Sequence, residues 1–268
     1  MDNIIKVKHS FNCGDLVTIL YGLRSLYRKT GKKIAIYQRI NLQSQYYIGN
    51  VISTTDNNGD SVSMNLDLFN RMKPIIESQD YIYSMEVWEG QEVDFDYDLT
   101  RDSRSIPMPN ALLQTWGEAV FPQTSANLAE QILFVEPLVD SIYKNKVIIN
   151  RTQRYVNPYI TYYFLKKFQD KCIFSGTEVE HKDFCEKFNL DIEYLKTDNF
   201  YQLAQIIQLC KFGVYNQSLH FHIADGLKTK RVLELCQPYP NTFCMGANGY
   251  HAYRQQALEY YFETLLNE

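Results

Sequence analysis

The sequence predicts an α/β protein made of two Rossmann-like halves. Three observations carry that reading. The chain opens strand–helix–strand, and after the segment "FVEPLVDSIYKNK" strands and helices alternate regularly to the last strand. Its 268 residues suffice for two domains of ordinary size.

Taken in order, "NIIKVKHS" is a short β-rich run, and "GDLVTILYGLRSLYRKTG" follows at helical spacing. Leu16, Ile19, Leu20, Leu23 and Leu26 line one face of that helix. Arg24, Arg28 and Lys29 crowd its end, where the dipole favours cations, and Gly31 stops it before the strand "KKIAIYQ". From Arg39 to Val135 no second clean series emerges. "DNNGD" reads as a turn, "LDLFNRMKPIIESQ" as a helix and "YIYSMEVW" as a strand, while "ALLQTWGEAV" and "ANLAEQILF" read as helices. In the second half, strand "KVIIN" leads to helix "YITYYFLKKFQ", "KCIFSG" to "EVEHKDFCEKF", and "DIEYLK" to "FYQLAQIIQLC". "KFGVYN" then leads to "LHFHIADGL", and "KRVLELC" to a loop before the closing helix "YRQQALEYYFETLL". The domains expected are 1–138, 139–250 and a terminal helix over 251–268.

Composition narrows the function classes. With 45% hydrophobic and 22% charged residues the chain reads as soluble and globular. A net charge of -4 argues against bulk binding to nucleic acid. "MDNIIKVKHS" lacks the regions of a signal peptide, and no apolar run approaches the roughly 20 residues that span a bilayer, so a cytoplasmic protein is expected. The six cysteines form no C-x-x-C pair and read as buried thiols. Neither G-x-G-x-x-G nor a Walker A pattern occurs, which removes support for dinucleotide redox and P-loop chemistry. In "VDFDYDL", alternation puts Asp94, Asp96 and Asp98 on one side of a strand, the solvated face of a half-buried edge rather than a metal site.

The strand-end junctions concentrate the polar candidates. In "NQSLHFHIADGL", Asn216 ends a strand, Gln217 and Ser218 form the turn, Ser218 is a natural N-cap, and the free N–H groups of the helix that begins near Leu219 suit an anion such as a diphosphate. His220 and His222 lie two apart and share no helix face, which argues against joint metal chelation. "HSFNCGDL" places Asn12, Gly14 and Asp15 at the start of the first helix, where Asp15 is either a first-turn acid or a general base. In "INRTQRYVNP", Arg151 and Arg154 could grip phosphate oxygens and Tyr155 could stack or hydrogen-bond. In "FSGTEVEH", Gly176 follows a strand, and Thr177 with Glu180 fits a capping box.

Together these junctions resemble the heptosyltransferase-like glycosyltransferases (the ADP-heptose:lipopolysaccharide heptosyltransferase superfamily). The resemblance rests on "CGDLVTILYGLRSLYRK", "NRTQRY", "GTEVE" and "NQSLHFHIADGL". It implies the GT-B fold, two Rossmann-like domains facing a cleft, with the C-terminal helix crossing back onto the N-terminal domain. It further implies an inverting, metal-independent transfer from a nucleotide-diphosphate sugar to an acceptor hydroxyl, on a glycan or another acceptor, with no further cofactor. Carried over, Asp15 matches the family's proposed catalytic base, with Asn12 and Gly14 on the acceptor side. Arg151, Arg154, Tyr155, Gly176, Thr177, Asn216, Gln217, Ser218 and His222 fall on the donor side. Gln217 stands where the motif has Asp, and Leu219 where it has Gly. Those two departures point to the alternative, a catalytically silent binding or assembly protein of the same fold; a sugar-nucleotide epimerase is a third reading.

Overall fold

Alternating burial along β1 (Ile4–His9) turns Ile5, Val7 and His9 inward and leaves Ile4, Lys6 and Lys8 half-buried. The structure, a computed structural model, describes residues 4–10, 12–44, 54–99, 126–139 and 141–268. They fall in two units: Met1–Val135 with Asn199–Tyr201, and Glu136–Asp198 with Gln202–Glu268. The sequence put the boundary at residue 138.

In the first unit, helix α1 (Cys13–Thr30) buries the five expected apolar positions, Leu16, Ile19, Leu20, Leu23 and Leu26. Gly31 ends it in the left-handed region, at φ 69°, its N–H reaching the Tyr27 carbonyl at 2.7 Å. This is the C-cap geometry glycine adopts without strain. Then come β2 (Lys33–Gln38), α2 (Leu66–Glu77), β3 (Ile82–Val87) and β4 (Tyr97–Leu99). The sheet is parallel, in the order β3-β2-β1-β4.

Residues 126–134, read from sequence as helical, are irregular. Side chains supply what a helix would have supplied: Tyr81 Oη donates to the Ile132 carbonyl at 2.8 Å, and Gln79 bonds both the N–H and the carbonyl of Phe134. Ile132 and Leu133 are buried in that extended course. The other expected helix, "ALLQTWGEAV", lies outside the described residues.

The second unit contains β5 (Val147–Asn150), a 3₁₀ helix (Tyr163–Lys171), β6 (Cys172–Phe174), α3 (Glu178–Phe188) and β7 (Glu193–Tyr194). These are followed by α4 (Phe200–Leu209), β8 (Phe212–Tyr215), α5 (Leu219–Leu227), β9 (Arg231–Glu234), β10 (Gly249–Ala252) and α6 (Gln255–Asn267). The strand order is β10-β9-β8-β5-β6-β7, all parallel. Counted from β5, that is the doubly wound Rossmann order, which reverses direction between β5 and β8.

Two expectations are corrected here. "YITYYFLKKFQ" forms a 3₁₀ helix beginning only at Tyr163. The N–H groups of Tyr159 and Thr161, which would open an α-helix, are taken by the side chains of Asn157 and Gln255. The loop after β9 carries an additional strand, β10, whose sequence GYHA has no apolar alternation to announce it. In α6 the buried Leu258, Phe262 and Leu265 join the second unit's core, with Phe262 against Phe164, Phe168 and Phe212. The unit-2 sheet leaves β8, β9 and β10 an apolar face, and this helix is the element that covers it.

Candidate functional site

Open α/β sheets bind ligands at the carboxyl ends of their strands, where the order reverses. Here that point is the end of β5 and β8, and a polar network is built across it. Asn150, the last residue of β5, is fully buried; its Nδ2 donates to the Ser175 carbonyl after β6 at 2.6 Å. Its Oδ1 accepts from Ser218 Oγ at 2.6 Å. Ser218 is the N-cap of α5 and accepts from the Phe221 N–H, so the strand end fixes the head of the helix directly. His220 Nε2 lies 2.9 Å from Ser175 Oγ, tying the first turn of α5 to the same point.

Asn216 organises the neighbouring loop. Fully buried, it accepts from the Thr152 N–H at 3.1 Å and donates from Nδ2 to the carbonyls of Thr152 and Arg154 at 3.0 and 2.6 Å. Tyr155, next in the loop, sits in the left-handed region at φ 53°, a conformation a bulky residue adopts only when its surroundings impose it. The Arg154 guanidinium is 5.9 Å from the Tyr155 ring. Gln217 turns the other way: Oε1 accepts from the Cys236 N–H at 3.1 Å, and Nε2 donates to the Tyr239 carbonyl and to Asn241. The residue where the family motif carries Asp therefore pins the segment after β9 beside the head of α5.

The remaining expected residues divide. Arg151 was expected to reach a phosphate, and this is corrected. Its Nε and Nη2 form a bidentate pair with the fully buried Glu234, at 2.8 and 2.9 Å, and Nη2 also meets the carbonyls of Asn157 and Ile160. Glu234 is completed by the Asn157 N–H and Tyr162 Oη. Strand alternation explains the difference, since Asn150 and Arg151 leave the sheet on opposite sides. His222 is 6% exposed and edge-on to Phe221; burial pushes its pKa down to about 4, only partly offset by Asp225. It is a neutral imidazole at neutral pH. Thr177 and Glu180 form the capping box that the sequence suggested, at 3.1 and 2.9 Å. Gly176 is required by that box: a Cβ there would stand 2.9 Å from Glu180 Oε2 and 3.0 Å from the Phe174 ring.

In the first unit, Asn12 is the N-cap of α1, with Gly14 in its first turn. Asp15 is buried, and its Oδ2 accepts from the Asn12 N–H at 3.2 Å. Both stand just beyond β1, where that sheet's order also reverses, between β1 and β4. Beside them a buried pair was missed from sequence: His9 Nδ1 lies 2.7 Å from Gln38 Oε1. Because Gln38 Nε2 donates to the Arg39 carbonyl, its oxygen faces His9, and Nδ1 carries the proton. Of the D-x-D carboxylates, Asp96 accepts from the Lys6 N–H at 2.8 Å and Asp98 pairs with Lys8 at 3.6 Å. Burial holds the thiols of Cys172, Cys210 and Cys244 up at about 12, so they are protonated and unreactive at neutral pH.

Asn150, Ser175 and Glu234 were not singled out from the sequence. The only signal was position, a polar residue ending an apolar strand in "VIIN" and an acid inside "RVLELC".

No family profile matches the chain, and no curated protein matches it by sequence. Solved structures do. The glycosyl transferase family 9 protein from Veillonella parvula aligns over 100% of this chain and 98% of its own, at 12% identity and TM-score 0.64. The E. coli heptosyltransferase WaaC with ADP aligns over 98% and 99%, at 10% identity and TM-score 0.60. The E. coli ADP-heptose lps heptosyltransferase II aligns over 100% and 99%, at 12% identity and TM-score 0.58. The chain has the GT-B-like α/β fold of these heptosyltransferases.

Proposed function

We propose that this chain, on the fold of the heptosyltransferase-like glycosyltransferases, transfers a sugar from a nucleoside-diphosphate sugar to an acceptor hydroxyl on a glycan. The observation that carries the reading is the construction at the β5–β8 reversal. An α-helix head and a basic loop are locked to one strand end by Asn150 and Asn216. A helix N-terminus presents unpaired N–H groups and a positive dipole end, the complement of a leaving diphosphate. Arg154, whose carbonyl Asn216 holds in that loop, supplies the guanidinium that would meet the same diphosphate. A solved structural neighbour holds ADP, which makes an adenine nucleotide the first donor to test.

In this reading Asp15 accepts the acceptor's proton as its oxygen attacks the anomeric carbon and the carbon–oxygen bond to the diphosphate breaks. The proton ends on the carboxylate and the electron pair on the diphosphate. The Asn12 N–H holds Oδ2 of Asp15 in place for that role. A single displacement inverts the anomeric centre. Helix head and guanidinium take the leaving charge without a metal ion.

Calorimetry with ADP and a transfer assay on two variants test the proposal. Arg154→Ala should weaken ADP binding about tenfold, the worth of one charge-assisted hydrogen bond. Asp15→Asn should leave ADP affinity unchanged and cut turnover roughly 10²–10⁴-fold. Full turnover in Asp15→Asn removes the base, and no nucleotide binding by the native chain removes the reading altogether.

A further inference from the structure

Among the described residues the first unit's sheet ends at β3 and β4, and the second unit's at β10 and β7. β4, β7 and β10 have three, two and four residues, whereas β3 has six. Its sequence, IYSMEV, holds no proline or glycine, carries one charge, and includes the strand formers Ile82, Tyr83 and Val87. A strand of that kind at a sheet edge is a template on which an identical strand can pair.

Three features act on this edge. Lys73 and Glu77, one turn apart on α2, form an ion pair at 2.6 Å. Glu77 Oε1 also accepts from the Met85 N–H at 2.8 Å, and Lys73 Nζ donates to the Met85 carbonyl. The N–H and C=O of one strand residue point to the same side, so both groups of Met85 face this pair rather than β2. Two residues on, the Val87 carbonyl accepts from Gln91 Nε2 at 3.1 Å. Two residues before, Ile82 and Ser84 stand opposite the consecutive Ile34 and Ala35, which makes Tyr83 the extra residue of a bulge. A bulge twists an edge away from flat pairing.

Stability does not account for the ion pair. Exposed pairs at i,i+4 add little to a fold, and both of these side chains are partly exposed. What the pair does is take the two hydrogen-bonding groups that a neighbouring strand would need.

We infer that the Lys73–Glu77 pair guards the first unit's sheet against edge-to-edge pairing with a second copy of this chain through β3. A strand arriving at this edge has to separate the pair and release both groups of Met85 before it forms a ladder of its own. The guard uses nothing from the second unit and is independent of the glycosyltransferase reading.

Sedimentation equilibrium on the full chain tests this, with the native protein and Lys73→Ala/Glu77→Ala compared at equal concentrations. The apparent mass of the variant should rise with concentration above that of the native chain. Adding Tyr83→Lys, at the exposed bulge residue, should return it to the native value, because lysine on an edge opposes pairing. In dilute solution the Met85 amide of the double variant should exchange with deuterium about tenfold faster or more, the effect of losing one hydrogen bond to a charged group. Should the double variant unfold, Lys73→Met, which keeps the aliphatic stem, carries the mass comparison. Equal masses of variant and native, association that Tyr83→Lys does not reverse, or an unchanged Met85 amide would overturn the inference.

Discussion

At His222 burial decides chemistry. The imidazole is held near pKa 4 against the ordinary value of 6.5, so the folded chain binds fewer protons than the unfolded one below pH 6.5. Stability is unaffected above that pH and falls as pH drops from 6.5 toward 4. At pH 4.5 the loss amounts to about 2–3 kcal/mol. Urea titrations at pH 7 and pH 4.5 should show this loss in the native chain and not in His222→Phe; equal losses in both would mean that the imidazole titrates normally. Arg151 is the other residue whose role reversed. A buried ion pair is weak evidence of net stability, but breaking one side of it strands a charge. What Arg151 and Glu234 achieve is placement, fixing the loop through the Asn157 N–H and the Ile160 carbonyl.

Among the elements, β8 shows how tightly the strand order is packed. Tyr215 folds its ring back over Gly213: a Cβ on that glycine would fall 2.0 Å from the Tyr215 Oη. The same hydroxyl is fully buried without a hydrogen-bond partner. Tyr215→Phe should therefore stabilise the protein by about 1–2 kcal/mol, because it removes an unpaired buried group while keeping the ring. Gly213→Ala should cost about 1–3 kcal/mol through overpacking. Thermal denaturation of both variants checks the pair, and a destabilised Tyr215→Phe would reveal a partner for the hydroxyl. The segment between β9 and β10 is irregular yet held at both ends. Gln217 grips residues 236–241, and at the other end Arg231 and Asp225 bond Met245, with Arg231 also reaching the Ala247 carbonyl.

At the scale of the whole molecule, two units each carry their own parallel sheet, and every proposed donor contact lies in the second. A fragment of residues 136–268 should fold cooperatively, since its sheet is covered by helices of its own, α6 among them. It should also bind ADP within a few-fold of the full chain, a shift well under the 1.4 kcal/mol that makes a tenfold change. Loss of nucleotide binding in a folded fragment would show that the first unit completes the donor site. No described helix is long and apolar enough to cross a membrane.

The sequence by itself determined the two-unit α/β plan, the face of α1, the Gly31 stop, the Thr177–Glu180 capping box and the Ser218 cap. All of these are local: a 3.6-residue or two-residue period, or a polar side chain reaching three residues along the chain, is written in neighbouring letters. Only the tertiary structure decided that Arg151 turns to Glu234, 83 residues away, while Asn216 holds the Arg154 carbonyl in the loop. It alone decided that Asn150 ties the end of β5 to the head of α5, that 126–134 is not helical, that GYHA is a strand, and that α6 joins the core of its own unit. In each case the deciding partner is remote in sequence. A buried polar group takes whichever acceptor the fold brings within about 3 Å, and an apolar face takes whichever sheet stands uncovered.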